Sequence, residues 1–153
     1  MAYAVVLVRG LVNVRSEIKD AIRRLRLTRV NHAVVVPETP QIRGMLNLAQ
    51  GYVTWGEIDR DTLDALLRKR GRFQGDVPVT PEEIENRTGM KWDEFLDAVL
   101  KGEIKLSDVG IKPFRLHPPR KGYGRGGVKQ SFKVGGALGY RGEAINELLR
   151  RMM

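Results

Sequence analysis

The run Ala33-Val34-Val35-Val36-Pro37-Glu38-Thr39-Pro40-Gln41-Ile42-Arg43-Gly44-Met45-Leu46 decides the fold. Its first four residues are apolar and mostly β-branched, as a short buried strand requires. Pro37 ends the strand because it has no N–H for a ladder. Thr39-Pro40 starts a helix: a hydroxyl N-cap, then proline at the first helical position, where the N–H would be unsatisfied anyway. The helix continues through Met45, Leu46 and Ala49 and ends at Gly51. Upstream, Val14 to about Leu27 is helical, with Ile18, Ile22 and Leu25 on one stripe. Before it, Tyr3 to Arg9 is an apolar strand and Gly10-Leu11-Val12-Asn13 turns the chain. Downstream, Tyr52-Val53-Thr54-Trp55 is a third strand. The order is β-α-β-α-β in under 60 residues.

Residues 1–58 therefore read as a βαβαβ core and 59–153 as a mainly helical extension. Asp59 or Asp61 caps a helix running to about Arg70, with Leu63, Leu66 and Leu67 inward, Lys69 and Arg70 at its negative end, and Gly71 as C-cap. Thr80-Pro81-Glu82-Glu83 is a capping box, with Val79 and Ile84 placed as a hydrophobic staple. A short helix follows from about Trp92 to Leu100. A long stretch, Ser107 to Gly139, reads as extended. The last helix, Ala144 to Arg151, carries the stripe Ile145, Leu148, Leu149 and Met152.

Charge is concentrated in that extended stretch. The 153 residues hold 27 Lys and Arg against 18 Asp and Glu, a net charge of +9. Eight of the basic residues and no acidic one lie in the arm, 109–142: Lys112, Arg115, Arg120, Lys121, Arg125, Lys129, Lys133 and Arg141. The arm is rich in Gly and Pro, so it is entropically costly to order and, alone, is expected to be mobile. Phosphates offset that cost by counterion release. Such a composition points to a polyanionic partner.

Other classes fit poorly. The absence of cysteine excludes disulfides, Cys-type zinc sites and thiol catalysis. No apolar run approaches the ~20 residues of a membrane span, and the N-terminus lacks the features of a signal peptide, so a soluble intracellular protein is expected. Gly122-Tyr123-Gly124-Arg125-Gly126-Gly127 matches a dinucleotide fingerprint in letters only, since no strand precedes it and no helix pattern follows. Glycines that let a loop approach RNA closely explain it better. Glu57, Asp59 and Asp61 form a conceivable Mg²⁺ cluster, but helix capping accounts for them. His32 and His117 have no triad partner at a recognisable spacing. Arg43 sits near a helix N-terminus, where a cation opposes the macrodipole, which suggests a phosphate nearby.

Several strings resemble one family. Leu27-Thr28-Arg29-Val30-Asn31-His32 followed by Thr39 to Leu46 is similar to the large-subunit ribosomal protein L-thirty family. Tyr52-Val53-Thr54-Trp55-Gly56, Arg68-Lys69-Arg70-Gly71, Phe114 to Arg120 and Gly135 to Arg141 resemble its long archaeal type, whose eukaryotic counterpart is called L-seven. The resemblance implies an α+β, ferredoxin-like core with a three-stranded sheet and two helices on one face. It implies an antiparallel sheet with the first strand central, whereas a simple β-α-β crossover suggests a parallel neighbour. It implies a non-enzymatic, cytoplasmic constituent of the large ribosomal subunit. Its partners are large-subunit ribosomal RNA and neighbouring ribosomal proteins, with no membrane, small-molecule substrate, metal or cofactor. The expected RNA contacts are Arg9, Arg15, Lys19, Arg29, Asn31, His32 and Arg43 as one core surface, with Lys69 and Arg70. The arm adds Arg115, His117, Arg120, Lys121, Arg125, Lys129, Lys133 and Arg141, threading along RNA, while Phe114, Tyr123 and Phe132 stack on bases or dock on the protein. The competing classes are a metal-dependent RNA-processing enzyme and a free-standing RNA-binding regulator.

Overall fold

The computed structural model describes residues 2–123 and 126–153. Its strands are β1 (Ala2–Leu7), β2 (His32–Pro37), β3 (Val53–Glu57), β4 (Arg72–Phe73), β5 (Val77–Pro78), β6 (Phe114–Arg115) and β7 (Gly139–Tyr140). Its helices are α1 (Ser16–Arg24), α2 (Pro40–Ala49), α3 (Arg60–Arg70), α4 (Pro81–Thr88), α5 (Trp92–Lys101), α6 (Leu106–Val109) and α7 (Ala144–Met152). Two 3₁₀ turns, Gly127–Lys129 and Phe132–Val134, lie between β6 and β7.

β1 is central and antiparallel to both neighbours, pairing Tyr3 with Val36 and Val5 with Val34 on one side, Val5 with Trp55 on the other. The parallel neighbour suggested by a simple crossover does not form, because residues 25–31 carry the chain back to the end of the sheet where β1 finished. There the Asn31 N–H donates to the Leu7 carbonyl at 2.8 Å. The crossover belongs to β2-α2-β3, which steps over β1. The sheet is wider than the three strands expected: β6 adds antiparallel to β2 and β7 parallel to β3, giving the order β6-β2-β1-β3-β7.

Strand side chains alternate between faces. Tyr3, Val5, Leu7, Val34, Val53 and Trp55 meet Ile22 and Leu25 from the α1 segment and Leu46 and Ala49 of α2. Ala2, Ala4, Val6, Ala33 and Val35 meet the other layer, with Leu63 and Leu66 from α3, Phe95 and Val99 from α5, Ile145 and Leu149 from α7. Residues 59–153 thus supply the layer that covers the second face of the shared sheet. Small side chains on that face allow a close helix approach. Thr39, Asp59 and Thr80 each cap a helix through a side-chain oxygen, accepting from the N–H three residues on. Val79 and Ile84 are buried together. The short hairpin β4–β5 has no counterpart in the sequence reading; it buries Phe73 completely.

The basic segment is not a free arm. Phe114, Leu116, Pro119, Ala137, Leu138 and Arg141 are buried. Between them the chain bonds to itself: Gly126 N–H to Gly135 O at 3.0 Å, Ala137 to Gly127 O at 3.0 Å, Leu138 to Gln130 O at 3.0 Å. The expectation that it depends on a polyanion for order is corrected by these bonds. Its glycines also serve the protein itself: a Cβ at Gly136 would stand 2.2 Å from the Gln130 carbonyl oxygen.

Two glycines give opposite expected outcomes in urea unfolding. A Cβ at Gly56 would lie 1.9 Å from the Gly142 carbonyl oxygen, where the chain enters α7. Gly56→Ala is expected to destabilise by about 1–3 kcal/mol or more. Gly44 lies inside α2 with nothing within 4 Å of a Cβ. Gly44→Ala is expected to stabilise by about 0.5–1 kcal/mol.

Candidate nucleic-acid interface

One end of the sheet gathers most of the predicted residues. It is the end where β1 finishes and β2 and β3 begin. Arg9 follows β1; its guanidinium donates to the Gly51 carbonyl and lies 5.1 Å from the Tyr52 ring centroid. Arg29, Val30 and Asn31 form the corner before β2, with Asn31 in the left-handed region at φ 70°. His32 pairs in register with Arg115 of β6. Burial lowers the His32 pKa below its usual value, and Arg115 and Arg29 push it further down.

The basic segment closes this end from edge to edge. It leaves the sheet from β6 at one margin and returns as β7 at the other. Four strand spacings of ~4.8 Å put those margins roughly 19 Å apart. Residues 116–138 are far longer than this gap, so the excess folds back on itself over the sheet end. Val8, just past β1, packs against Ala137, Leu138 and Tyr123. The Tyr123 hydroxyl donates to Asn31 Oδ1 at 2.6 Å, tying loop to corner. Burial pushes the Tyr123 pKa up to about 12.

The loop also caps α7. The N–H of His117 donates to Met152 O at 3.0 Å and that of Arg120 to Arg151 O at 3.1 Å. Arg70 donates to Met153 O at 2.7 Å. These donors satisfy carbonyls that a helix end leaves open, and the cations sit at its negative pole. Arg151 reaches back to the carbonyls of Gly122 at 2.7 Å and Arg120 at 3.1 Å. Sequence reasoning passed over Arg151; its place in the basic last turn of α7 was the available signal.

The exposed cations here lack carboxylate partners. Among the described residues, Arg120, Lys121, Lys129 and Lys133 enter no ion pair, and Arg115 has only Asp76, at 3.9 Å and mostly exposed. Val30, Val128, Phe132 and Val134 expose apolar surface beside them. Arg15, Arg29, Lys69 and His117 are exposed and Lys19 is half-buried. Arg125 lies outside the described residues.

Three predicted residues have other roles. Arg43 pairs with Glu38, which follows β2 at the opposite end of the sheet. Five strand steps of ~3.3 Å separate that end from His32, so the core cations do not form one surface. The helix-dipole argument for a phosphate beside Arg43 is replaced by a local carboxylate. Asn31 spends its side-chain oxygen on Tyr123. Arg141 is only 7% exposed. It donates to Thr54 Oγ1 and to Ala137 O, both at 2.8 Å, and lies 4.8 Å from the Phe132 ring centroid. It braces the loop onto β3. Burial, with Arg151 adding to it, lowers its pKa to about 10. Of the three aromatics, Phe114 is core, Tyr123 docks on the protein, and Phe132 is partly exposed.

The acidic trio has structural work too. Glu57 accepts the Tyr140 hydroxyl, and Asp59 caps α3 and faces Arg150 at 3.7 Å. Among the described residues no group of three or more His, Cys, Asp or Glu could hold a metal ion. The letters of the dinucleotide fingerprint lead only into a three-residue 3₁₀ turn. No described helix is long and apolar enough to cross a membrane.

Comparison with known proteins gives a consistent picture. Residues 3–53 match the family described as ribosomal protein L30p/L7e. The chain is 54% identical to the large ribosomal subunit protein uL30 of Methanococcus maripaludis, covering 100% of both chains. It is 49% identical to the uL30 protein of Methanopyrus kandleri, over 95% of this chain and 99% of that one. For the uL30 protein of Nanoarchaeum equitans the identity is 47%, over 97% of each.

The Tyr123–Asn31 bond is open to a direct measurement. One such bond contributes about 1 kcal/mol, or roughly fivefold in local opening. In Tyr123→Phe, trypsin is expected to cut after Arg120 and Lys121 about fivefold faster, with the global urea midpoint little changed.

Proposed function

The chain belongs to the ribosomal protein L30p/L7e family, and from that premise we propose that it holds folded ribosomal RNA against the cationic end of its sheet. It is a non-enzymatic, structural component of the large ribosomal subunit, which is cytoplasmic. Ribosomal RNA and neighbouring subunit proteins are its partners.

The observation that carries this reading is that, among the described residues, Arg120, Lys121, Lys129 and Lys133 of an internally bonded loop have no carboxylate partner. Within the helical layer several cations are neutralised at home: Arg60 pairs with Asp93 and Asp97, Arg68 with Asp64, Arg87 with Glu83. Between 59 and 108 acidic residues outnumber basic ones, twelve to nine. The acid-free run of positive charge therefore gathers at one end of the sheet, where phosphates are held by charge and shape. Residues 1–58 contribute Arg9, Arg15, Lys19, Arg29 and His32. Residues 59–153 contribute Lys69, Arg115, His117, Arg120, Lys121, Lys129 and Lys133. The backbone of the loop is bonded internally, so binding does not have to order it. Aromatic and aliphatic side chains, Phe132 and Val128 among them, meet unstacked bases.

Binding is coupled to pH through His32. In the free protein its pKa lies below the usual value because of burial and two arginines. Phosphates beside Arg29 and Arg115 screen those charges and raise it, so the complex holds more protons than the free protein. Affinity for large-subunit RNA is expected to rise as pH falls through the interval between the free and bound pKa values, by up to about tenfold per pH unit. His32→Asn is expected to flatten that dependence, whereas His117→Asn is expected to leave it in place.

Replacing Arg115, Arg120, Lys121 and Lys129 with Ala is expected to make the slope of log K against log salt shallower by about 3, since each phosphate contact contributes ~0.7–0.9. An unchanged slope would show that the loop does not touch phosphate. Retention on the large subunit through a high-salt gradient separates a ribosomal constituent from a free regulator.

A further inference from the structure

A cleft of about 260 Å³ opens at the outer edge of β2, at the seam between the two core layers. One wall is Val34 and Val36 with Ile42 and Met45 of α2; the other is Leu106, Ile111 and Phe114. The cations Arg24, Arg26, Lys105 and Lys112 line it, and no carboxylate does. Arg26 is partly committed to the Ile111 carbonyl, at 3.3 Å. Arg24, Lys105 and Lys112 enter no ion pair among the described residues.

The edge itself is unfinished. β6 pairs with β2 only at His32 and Ala33. The next residue in that direction is Pro113, which has no N–H to extend the ladder. Beyond Ala33, the outer side of β2 has no partner strand among the described residues. The cleft therefore combines an apolar slot, backbone hydrogen-bonding groups along one wall, the Gln41 amide and Ser107 hydroxyl, and cations at its mouth.

We infer that this cleft receives one unstacked RNA base, with the flanking phosphate held by Arg24 and Lys105. The inference rests on the RNA-binding reading above and adds a second contact point at the side of the sheet. Each part matches a nucleotide: the slot accepts a planar ring, the polar groups meet base edges, and the cations meet phosphate. A peptide adding as a strand fits poorly. It would find only a short free edge, since β6 takes His32 and Ala33 and β2 ends at Pro37. The volume suits a single nucleotide, below the usual range for drug-sized ligands.

The test uses the full chain with ¹³C-labelled Met and Val methyl groups, titrated separately with the four nucleoside 5′-monophosphates and with inorganic phosphate. Saturable shifts at Met45, Val34 and Val36 with at least one nucleotide, and none with phosphate alone, are expected. Arg24→Ala with Lys105→Ala, both exposed, is expected to weaken that binding about five- to tenfold. Ser107→Trp, also at an exposed position, fills the mouth and is expected to abolish the shifts. It should lower affinity for large-subunit RNA about tenfold and make the salt slope shallower by ~0.7–0.9, the loss of one phosphate contact. Unmoved methyls in the wild-type chain overturn the proposal. So does Ser107→Trp binding that RNA as tightly as wild type, or an acidic peptide moving the same methyls where nucleotides do not. Wild-type protein with no affinity for the RNA at all would instead bring down the reading on which the proposal rests.

Discussion

β1 is buried along its whole length and on both faces, and the rest of the molecule follows from that constraint. A strand reading Ala-Tyr-Ala-Val-Val-Leu cannot leave either face in water, since exposing each Val or Leu forfeits about 1.5–3 kcal/mol. α1 and α2 cover the side bearing Tyr3, Val5 and Leu7. They cannot reach the side bearing Ala2, Ala4 and Val6. The chain after β3 must therefore cross behind the sheet, and α3, α5 and α7 do so. The extension thus closes the second face of this sheet.

Covering the second face also determines where the charge goes. To pass from the helical layer to α7, the chain runs out along one sheet edge and back along the other, as β6 and β7. Both are two residues long, which blunts the edges against further pairing. Between them it must cross the sheet end, and five of the eight basic residues, Arg120, Lys121, Arg125, Lys129 and Lys133, belong to this part of the chain. Arg141 secures the return by bonding Thr54 and Ala137. Tyr123 secures the outward limb by bonding Asn31. The ordering cost of a glycine-rich loop is thereby offset mainly by the protein's own contacts.

What was legible in the sequence is what has a local signature. Thr39-Pro40, Thr80-Pro81 and Asp59 mark helix starts because a cap is made with the next three residues. The stripe Ile145, Leu148, Leu149, Met152 marks a buried helix face by spacing alone, and all four are fully buried. Phe114 and Leu138 carried no such signal, because the strands they adjoin are fixed by partners about 80 residues away. Gly136, in the arm expected to thread along RNA, admits the Gln130 carbonyl. Arg43 was read against the helix dipole, when a carboxylate five residues earlier accounts for it. Local chemistry was readable, but whether a given residue's partner is the protein or a ligand depended on the tertiary fold.

That distinction bears directly on the interface. Cations held close together without carboxylates repel one another, and Arg115 and Arg29 add to the burial that lowers the His32 pKa. Placing them on a mobile tail would relieve the repulsion, because the chain could spread. The structure instead fixes the backbone that carries them, through Tyr123, Arg141 and the bonds to α7. A fixed array retains the repulsion in the free protein and releases it when an anion arrives. It also loses little conformational entropy on binding, so more of the electrostatic gain appears as affinity. An arm ordered only by RNA would spend much of that gain on folding. On the proposed reading, the stability given up by leaving these charges unpaired is returned in the complex, and a sheet closed on both faces can tolerate the loss.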